Sequence, residues 1–174
     1  GYMTWGTMFL QEKFGLSQLE AGFSSMFYFQ AAALTGVLFG GFFSDRWFQR
    51  RRTVRMELQI LGLGIAAPFI VLVGFGAAPW MVYIGLAGFG FFRGVYDSNT
   101  FAALFDVVAP RYRSSASGVM NTVGFLVGAS APYLMGLAKP TAGLSASMAS
   151  LALVHLIATL AIFFARQRFF TSDF

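Results

Sequence analysis

Residues 23–55 read FSSMFYFQAAALTGVLFGGFFSDRWFQRRRTVR. From Phe23 to Phe43 the stretch carries no charge, and then Asp45 and five arginines (Arg46, Arg50, Arg51, Arg52 and Arg55) follow within a few residues. A helix rises 1.5 Å per residue, so the uncharged run reaches about 30 Å, the thickness of a bilayer's hydrocarbon core. The arginines mark the point at which the chain returns to water. The apolar residues are continuous and do not alternate, which argues against a strand of a closed barrel. A helix satisfies its own backbone groups in lipid.

The pattern recurs along the chain. Hydrophobic runs at Phe23–Phe43, Leu58–Phe75, Met81–Val108, Gly118–Ala138 and Ala146–Ala165 predict five spans, separated by Ser44–Glu57, Gly76–Trp80, Ala109–Ser117 and Lys139–Ser145. Before them, Tyr2–Leu10 is apolar but too short to span, and residues 1–11 read as the tail of a truncated helix. The expected fold is all-α, a polytopic transmembrane helix bundle, with residues 1–174 forming one transmembrane half-domain.

Composition agrees. The chain is 57% hydrophobic and 18% aromatic but only 11% charged, against roughly 25% charged in soluble domains. The net charge of +5 does not point to nucleic acid, because seven of the twelve basic residues fall within Arg46–Arg55 and Arg111–Arg113, both between hydrophobic runs. With no cysteine there is no disulfide and no thiolate metal site. No cleavable signal peptide is visible.

Counting Lys and Arg in alternate connections orients the bundle. Arg46, Arg50, Arg51, Arg52, Arg55, Arg111, Arg113, Arg166 and Arg168 fall on one side, and only Lys13 and Lys139 on the other. The positive-inside rule makes the arginine-rich side, with the C-terminus, cytoplasmic. Tyr2, Trp5 and Trp80 then lie near the outer interface. Small residues recur four apart at Gly36/Gly40, Gly90/Gly94, Gly124/Gly128 and Gly128/Pro132/Gly136, which predicts tight helix bundling. Pro68 and Pro132 lie within spans and are expected to kink them.

The segment Gly40-Gly41-Phe42-Phe43-Ser44-Asp45-Arg46-Trp47-Phe48-Gln49-Arg50 resembles the Gly-x-x-x-Asp-Arg-x-x-x-Arg loop signature of the major facilitator superfamily, in the copy between the eighth and ninth helices. Phe48 stands where a second glycine is usual. The expected physics is that Gly41 permits close helix contact, Asp45 accepts from a helix N-terminus and the arginines hold the loop inside. A second segment, from Asp106 through Pro110, Arg111, Arg113 and Ala116 to Gly118, is similar to the family's connection between the tenth and eleventh helices.

The resemblance implies twelve helices in two six-helix halves, with substrate held near the midplane between them. This chain would be the second half, from the end of the seventh helix through the twelfth. Its partners would be the missing N-terminal half, a small-molecule substrate, a coupling proton or sodium ion and the lipid bilayer, in a bacterial cytoplasmic membrane. The conformational gate would comprise Gly41, Asp45, Arg46, Arg50, Asp106 and Arg113. The stretch Phe92–Asn99, with Pro110–Arg113, is similar to bacterial sugar-acid and other organic-anion symporters, and more loosely to spinster-like carriers.

Arg93 lies thirteen residues past Trp80, about 20 Å along a helix and close to mid-membrane. Asp97 follows at i+4 on the same face. Unpaired charges at that depth are costly, so the two either pair structurally or face a watery cavity as a substrate or proton site. Helical phase puts Tyr96 and Thr100 near this stripe, and Asn99 and Asp106 on the other side, where Asn99 serves as helix-to-helix glue. Because the family's seventh, eighth, tenth and eleventh helices line its cavity, Trp5, Tyr28 and Asn121 join Arg93 and Asp97 as substrate-binding or coupling candidates, with packing as the plainer reading of each. His155, the only histidine, is open to a proton-relay reading or a packing one. Glu12, Lys13 and Glu20 fall in the outer loop, where a solvated role is the default.

Transport without covalent chemistry is thus the expected function, with no catalytic residue, cofactor or metal. A membrane-embedded enzyme is the less favoured class, since neither a Gly-x-Ser-x-Gly elbow nor a His-Glu-x-x-His pair occurs. A non-transporting or half-sized membrane partner is the third class. Reading upstream of Gly1 separates it from a carrier fragment, for which six or so further spans are expected.

The charge asymmetry generates a direct test in this cysteine-free background. An impermeant thiol reagent should label Lys139→Cys from outside intact cells and spare Arg50→Cys, and outside labelling of Arg50→Cys would reverse the orientation.

Overall fold

The computed structural model describes residues 2–51 and 53–169. Arg52, counted above in the first basic loop, and the side chain of Tyr2 lie outside the described residues. The described residues form five α-helices: α1 (Tyr2–Phe14), α2 (Gln18–Phe48), α3 (Val54–Phe75), α4 (Pro79–Val107) and α5 (Arg113–Phe169), with a 3-10 turn at Pro110–Tyr112 before the last. No strand occurs among the described residues. Three stretches are long and apolar enough to cross a membrane: Gln18–Phe48, Val54–Phe75 and Pro110–Arg168. In α4, which is also long, the charges of Arg93 and Asp97 interrupt the apolar run.

Local chemistry sets several of the helix ends. Ser17 opens α2 with a capping box, its hydroxyl accepting from the Glu20 N–H while the Glu20 carboxylate accepts from the Ser17 N–H. Pro79 begins α4, where a missing N–H costs nothing. Helix α5 is broken at Gly143 (φ 75°, ψ 163°), a conformation that favours glycine, giving two arms at 113–142 and 144–169. The break lies within the predicted separator, although helical backbone runs on past Ala138 through Pro140. Helix α3 continues through Pro68, and the first arm of α5 through Pro132.

Helix α4 is the central element, packed against α2 on one side and α3 on another, while the second arm of α5 covers α3. The α2–α4 seam is built from small residues. A methyl at Gly36 would run into the Phe91 carbonyl, one at Gly90 into the Phe29 carbonyl and one at Gly94 into the Ala33 carbonyl. The predicted glycine pairs at 36/40 and 90/94 therefore lie where backbones meet. At α3 the same device recurs: Gly62 faces the backbone of Phe92 and Tyr96, and Gly74 meets Ser145 and Ala149 of α5.

Two glycine expectations fail. Among the described residues a methyl at Gly41 would meet nothing within 4 Å, and the close contact belongs to its neighbour Gly40, which faces Val95 and Ser98. One residue turns a side chain by about 100° around a helix, which puts Gly41 off the seam. Gly124 and Gly128 also face open space, because the first arm of α5 meets the other described helices only sparsely. Gly136 makes an ordinary contact with Trp5.

The core runs in three tiers along the bundle. Phe9, Leu10, Val82, Leu86 and Met148 fill the end nearest Lys13 and Lys139; Phe29, Ala66, Ile70, Phe89 and Ala152 fill the middle; and Val54, Leu58 and Val95 fill the arginine-rich end. Helix α1 is fastened at the first tier. Lys13 donates to the Gly74 carbonyl at 2.6 Å, at the negative end of the α3 dipole, and Lys139 pairs with Glu12 at 2.6 Å. Glu12, Lys13 and Glu20 are thus structural contacts and not merely solvated.

Gly90→Ala should destabilise the protein by about 1–3 kcal/mol, the usual cost of overpacking a filled contact. Gly41→Ala should be neutral or slightly stabilising, since it adds helix propensity in open space. Thermal unfolding in detergent measures both, and equal losses at the two positions would contradict the seam.

Candidate functional site

The commitments of α4 to its neighbours decide where its charges go. Gly90 and Gly94 are taken by α2, while Gln59 of α3 donates from Nε2 to the Asn99 backbone carbonyl at 3.0 Å. The buried Asn99 side chain, expected to join helices, instead donates within α4, to the Val95 carbonyl at 2.9 Å and Ser98 Oγ at 3.1 Å. Arg93 and Asp97 fall on the remaining side. There Arg93 Nε donates to Asp97 Oδ1 at 2.9 Å, with the two side chains 41% and 48% exposed.

This pair lines an open groove of about 420 Å³ between α4 and the first arm of α5, with Tyr96, Thr100, Asn121 and Gly124 among its other walls. The volume lies in the range of small-molecule sites, roughly 300–1,000 Å³. The Arg93 guanidinium also lies 5.7 Å from the Tyr96 ring centroid. Among the described residues its two Nη groups have no hydrogen-bond partner, so the fork remains available for a carboxylate or phosphate. Thr100 bonds its own helix, to the Tyr96 carbonyl at 3.0 Å.

Of the five substrate-binding candidates, Arg93, Asp97 and Asn121 meet in this groove; Tyr28 and Trp5 do not. Tyr28 stacks on Tyr83 at 4.6 Å in the α2–α4 contact. Trp5 donates from its indole to the Pro132 carbonyl at 3.2 Å, tying α1 to α5, and Lys139 sits 5.7 Å from the same ring system. His155 bonds the Leu151 carbonyl through Nδ1 at 2.9 Å and meets Phe89 edge-on at 5.5 Å.

A second set of charges occupies the arginine-rich end. Arg55, at the start of α3, holds Asp106 of α4 at 2.5 Å and Asp45 of α2 at 3.2 Å, with its guanidinium 4.0 Å from the Phe48 ring centroid. One cation therefore gathers three helix ends. The two arms are unequal: Arg55 and Asp106 are largely covered, whereas Asp45 is 77% exposed, and an exposed pair contributes only about 0–1 kcal/mol. Asp45 was expected to accept from a helix N-terminus and instead accepts from Arg55. Phe48, the departure from the loop signature, supplies the ring beneath that guanidinium.

Arg113 closes the far side of this end by donating to the Phe105 carbonyl at 2.9 Å and the Val108 carbonyl at 3.4 Å, at the C-terminus of α4. Arg46 and Arg50 are exposed and line an open cleft with Asp45 and Gln49; among the described residues neither forms an ion pair. Sequence reasoning counted Arg55 only as a loop charge and did not identify Glu57, which accepts from Arg51 at 2.9 Å, Arg166 at 2.6 Å and Thr53 at 2.9 Å. The available signal was the position of both residues in the first turn of α3, opposite acids or bases that end other helices.

No group of His, Asp or Glu residues suited to a metal ion occurs among the described residues. No curated protein matches the chain. The model of the Major Facilitator Superfamily matches residues 1–172, nearly the whole length. With its apolar helices, this match places the protein in the membrane as a multi-pass chain that belongs to the Major Facilitator Superfamily, whose members are membrane transporters.

Proposed function

We propose that this chain is the C-terminal half of a secondary active transporter that moves a small organic anion, such as a sugar acid, by alternating access. The observation that carries the reading is the Arg93–Asp97 pair: a guanidinium about halfway along α4, half-exposed, facing a groove and held by one nitrogen only. Intramembrane charges are retained where function or a partner keeps them. In the empty carrier Asp97 balances Arg93, and an incoming carboxylate takes over part of that role with two parallel bonds. Asn121, across the groove on α5, supplies a neutral donor and acceptor. The remaining wall of the site comes from an N-terminal half, and a proton or sodium gradient drives the cycle. The arginine-rich end faces the cytoplasm.

Helix α4 also links the site to the gate. Asp106 is on the same helix as Arg93, thirteen residues further along, or about 20 Å. Holding Asp106 through Arg55 ties the cytoplasmic end of α4 to α2 and α3 in one state, and releasing it frees α4 to rock. Arg46, Arg50 and Arg113 act around this centre, the first two by keeping the loop inside and Arg113 by fixing the turn that leaves α4, whereas Gly41 faces open space among the described residues and is left out of the gate.

Arg93→Lys should weaken binding of an acidic substrate about tenfold or more, the cost of one charged hydrogen bond, while preserving membrane insertion. If the pair were only structural, the double variant Arg93→Gln with Asp97→Asn would recover the uptake lost in either single variant; near-normal uptake by it would defeat the proposal.

For the gate, Arg55→Gln and Asp45→Asn should slow transport while changing equilibrium substrate affinity less than about twofold, with the larger effect at Arg55 because both arms are lost. Reduced affinity with unchanged turnover of bound substrate would remove the network from the gating role.

A further inference from the structure

A separate cavity of about 330 Å³ opens at the arginine-rich end, lined by Trp47, Arg50, Arg51, Val54, Leu58 and Leu61, with Glu57 at its floor. We infer that this cavity binds the headgroup of an anionic phospholipid, with the phosphate on Arg50 and Arg51 and the first acyl segments along Leu61 and the Trp47 ring. The site is distinct from the Arg93 groove: it lies between the end of α2 with Arg50 and Arg51 and the first two turns of α3, and it shares no residue with the groove.

Three observations support the occupant. The first is layering. Val54 and Leu58 belong to the core and reach the cavity only at its inner edge, whereas the exposed Leu61 lies on the same stripe of α3, seven residues past Val54, about 10 Å deeper into the apolar span. Charged groups therefore stand at the mouth, with an apolar wall running from them toward the bilayer interior.

The second is charge. The Glu57 carboxylate is shared by Arg51 and Arg166, while Arg50 has no ion-pair partner among the described residues. Among the described residues that line the cavity, Arg50 and Arg51 against Glu57 leave an excess of one positive charge, which complements a phosphate. The third is the wall itself. Trp47 and Leu61 are 45% and 53% exposed, a ring and an aliphatic side chain left uncovered at the boundary where tryptophan favours the headgroup level. A free phosphate would use the arginines and leave the apolar wall without purpose.

The test uses the full-length protein that contains this chain, purified in detergent, with bound lipid counted by native mass spectrometry. Dioleoyl phosphatidylglycerol should be retained in preference to dioleoyl phosphatidylcholine. Each basic side chain near an anionic surface strengthens binding about fivefold, so Arg50→Gln should weaken phosphatidylglycerol binding about fivefold and Arg50→Gln with Arg51→Gln about twenty-five-fold. Arg50→Lys with Arg51→Lys should keep most of it.

Equal retention of the two lipids, or unchanged phosphatidylglycerol binding in the double Gln variant, would overturn the inference. So would displacement of the lipid by millimolar inorganic phosphate, which would mark a site for the free ion. Should the Gln variants misfold, phosphatidylglycerol brominated on its acyl chains serves with the unaltered arginines. It should quench a fluorescence component that Trp47→Phe removes. Absence of that component would mean that another part of the protein, or a second copy, covers the cavity, and the lipid assignment would fall.

Discussion

Helices α2 and α4 meet backbone to backbone at four glycines, and the placement of the α4 charges follows from that contact. Lipid provides no hydrophobic drive for helices to associate, so close van der Waals packing of small residues has to hold them. Gly36 and Gly40 of α2, and Gly90 and Gly94 of α4, allow backbone to lie on backbone. Once this side of α4 is committed, the Asn99 backbone carbonyl accepts from Gln59 of α3 and the Arg93–Asp97 face is left over. A bulky side chain at the seam would rotate or displace the helix that carries the site.

The charges of the bundle divide by environment into two tiers with different consequences. Near mid-span a single pair is half-exposed in a groove, its cation held by one nitrogen, an arrangement suited to exchange of partners. At the arginine-rich end Arg55 gathers acids from two other helices and Glu57 joins the turn before α3 to the end of α5, which suits a latch more than a binding site. Because α4 contributes to both tiers, displacement of one end is felt at the other through a rigid element and needs no chain of intermediate contacts.

Much of this was legible in the sequence, for physical reasons that can be named. Uncharged runs of about twenty residues have few outcomes but a membrane helix, and the i+4 spacing of Arg93 and Asp97 forces them onto one face whatever surrounds them. Small residues four apart located the α2–α4 seam. The same rule failed at Gly124 and Gly128, because spacing says that a backbone can be approached and not that anything approaches it. At Gly41 it was the loop signature that failed, by one residue, since the four-apart spacing had already named Gly40. Arg55 was missed for a different reason: its place in the first turn of α3 hinted at a role, but its partners lie ten and fifty-one residues away on other helices, and the local sequence does not name them. Tyr28 and Trp5, assigned to the cavity by family analogy, are occupied by Tyr83 and Pro132 in contacts that one-dimensional phase could not reveal.

The central claim, that a guanidinium in the α4–α5 groove selects an anionic solute, is tested most directly by uptake into proteoliposomes containing the full-length protein. Pairs of solutes should be compared, each a carboxylate and its neutral methyl ester or amide, across sugar acids and other organic acids. The account predicts uptake of at least one carboxylate well above that of its neutral counterpart, with the carboxylate alone competing for the site. Uptake that is indifferent to the carboxylate, or confined to neutral sugars or lipids, would contradict it.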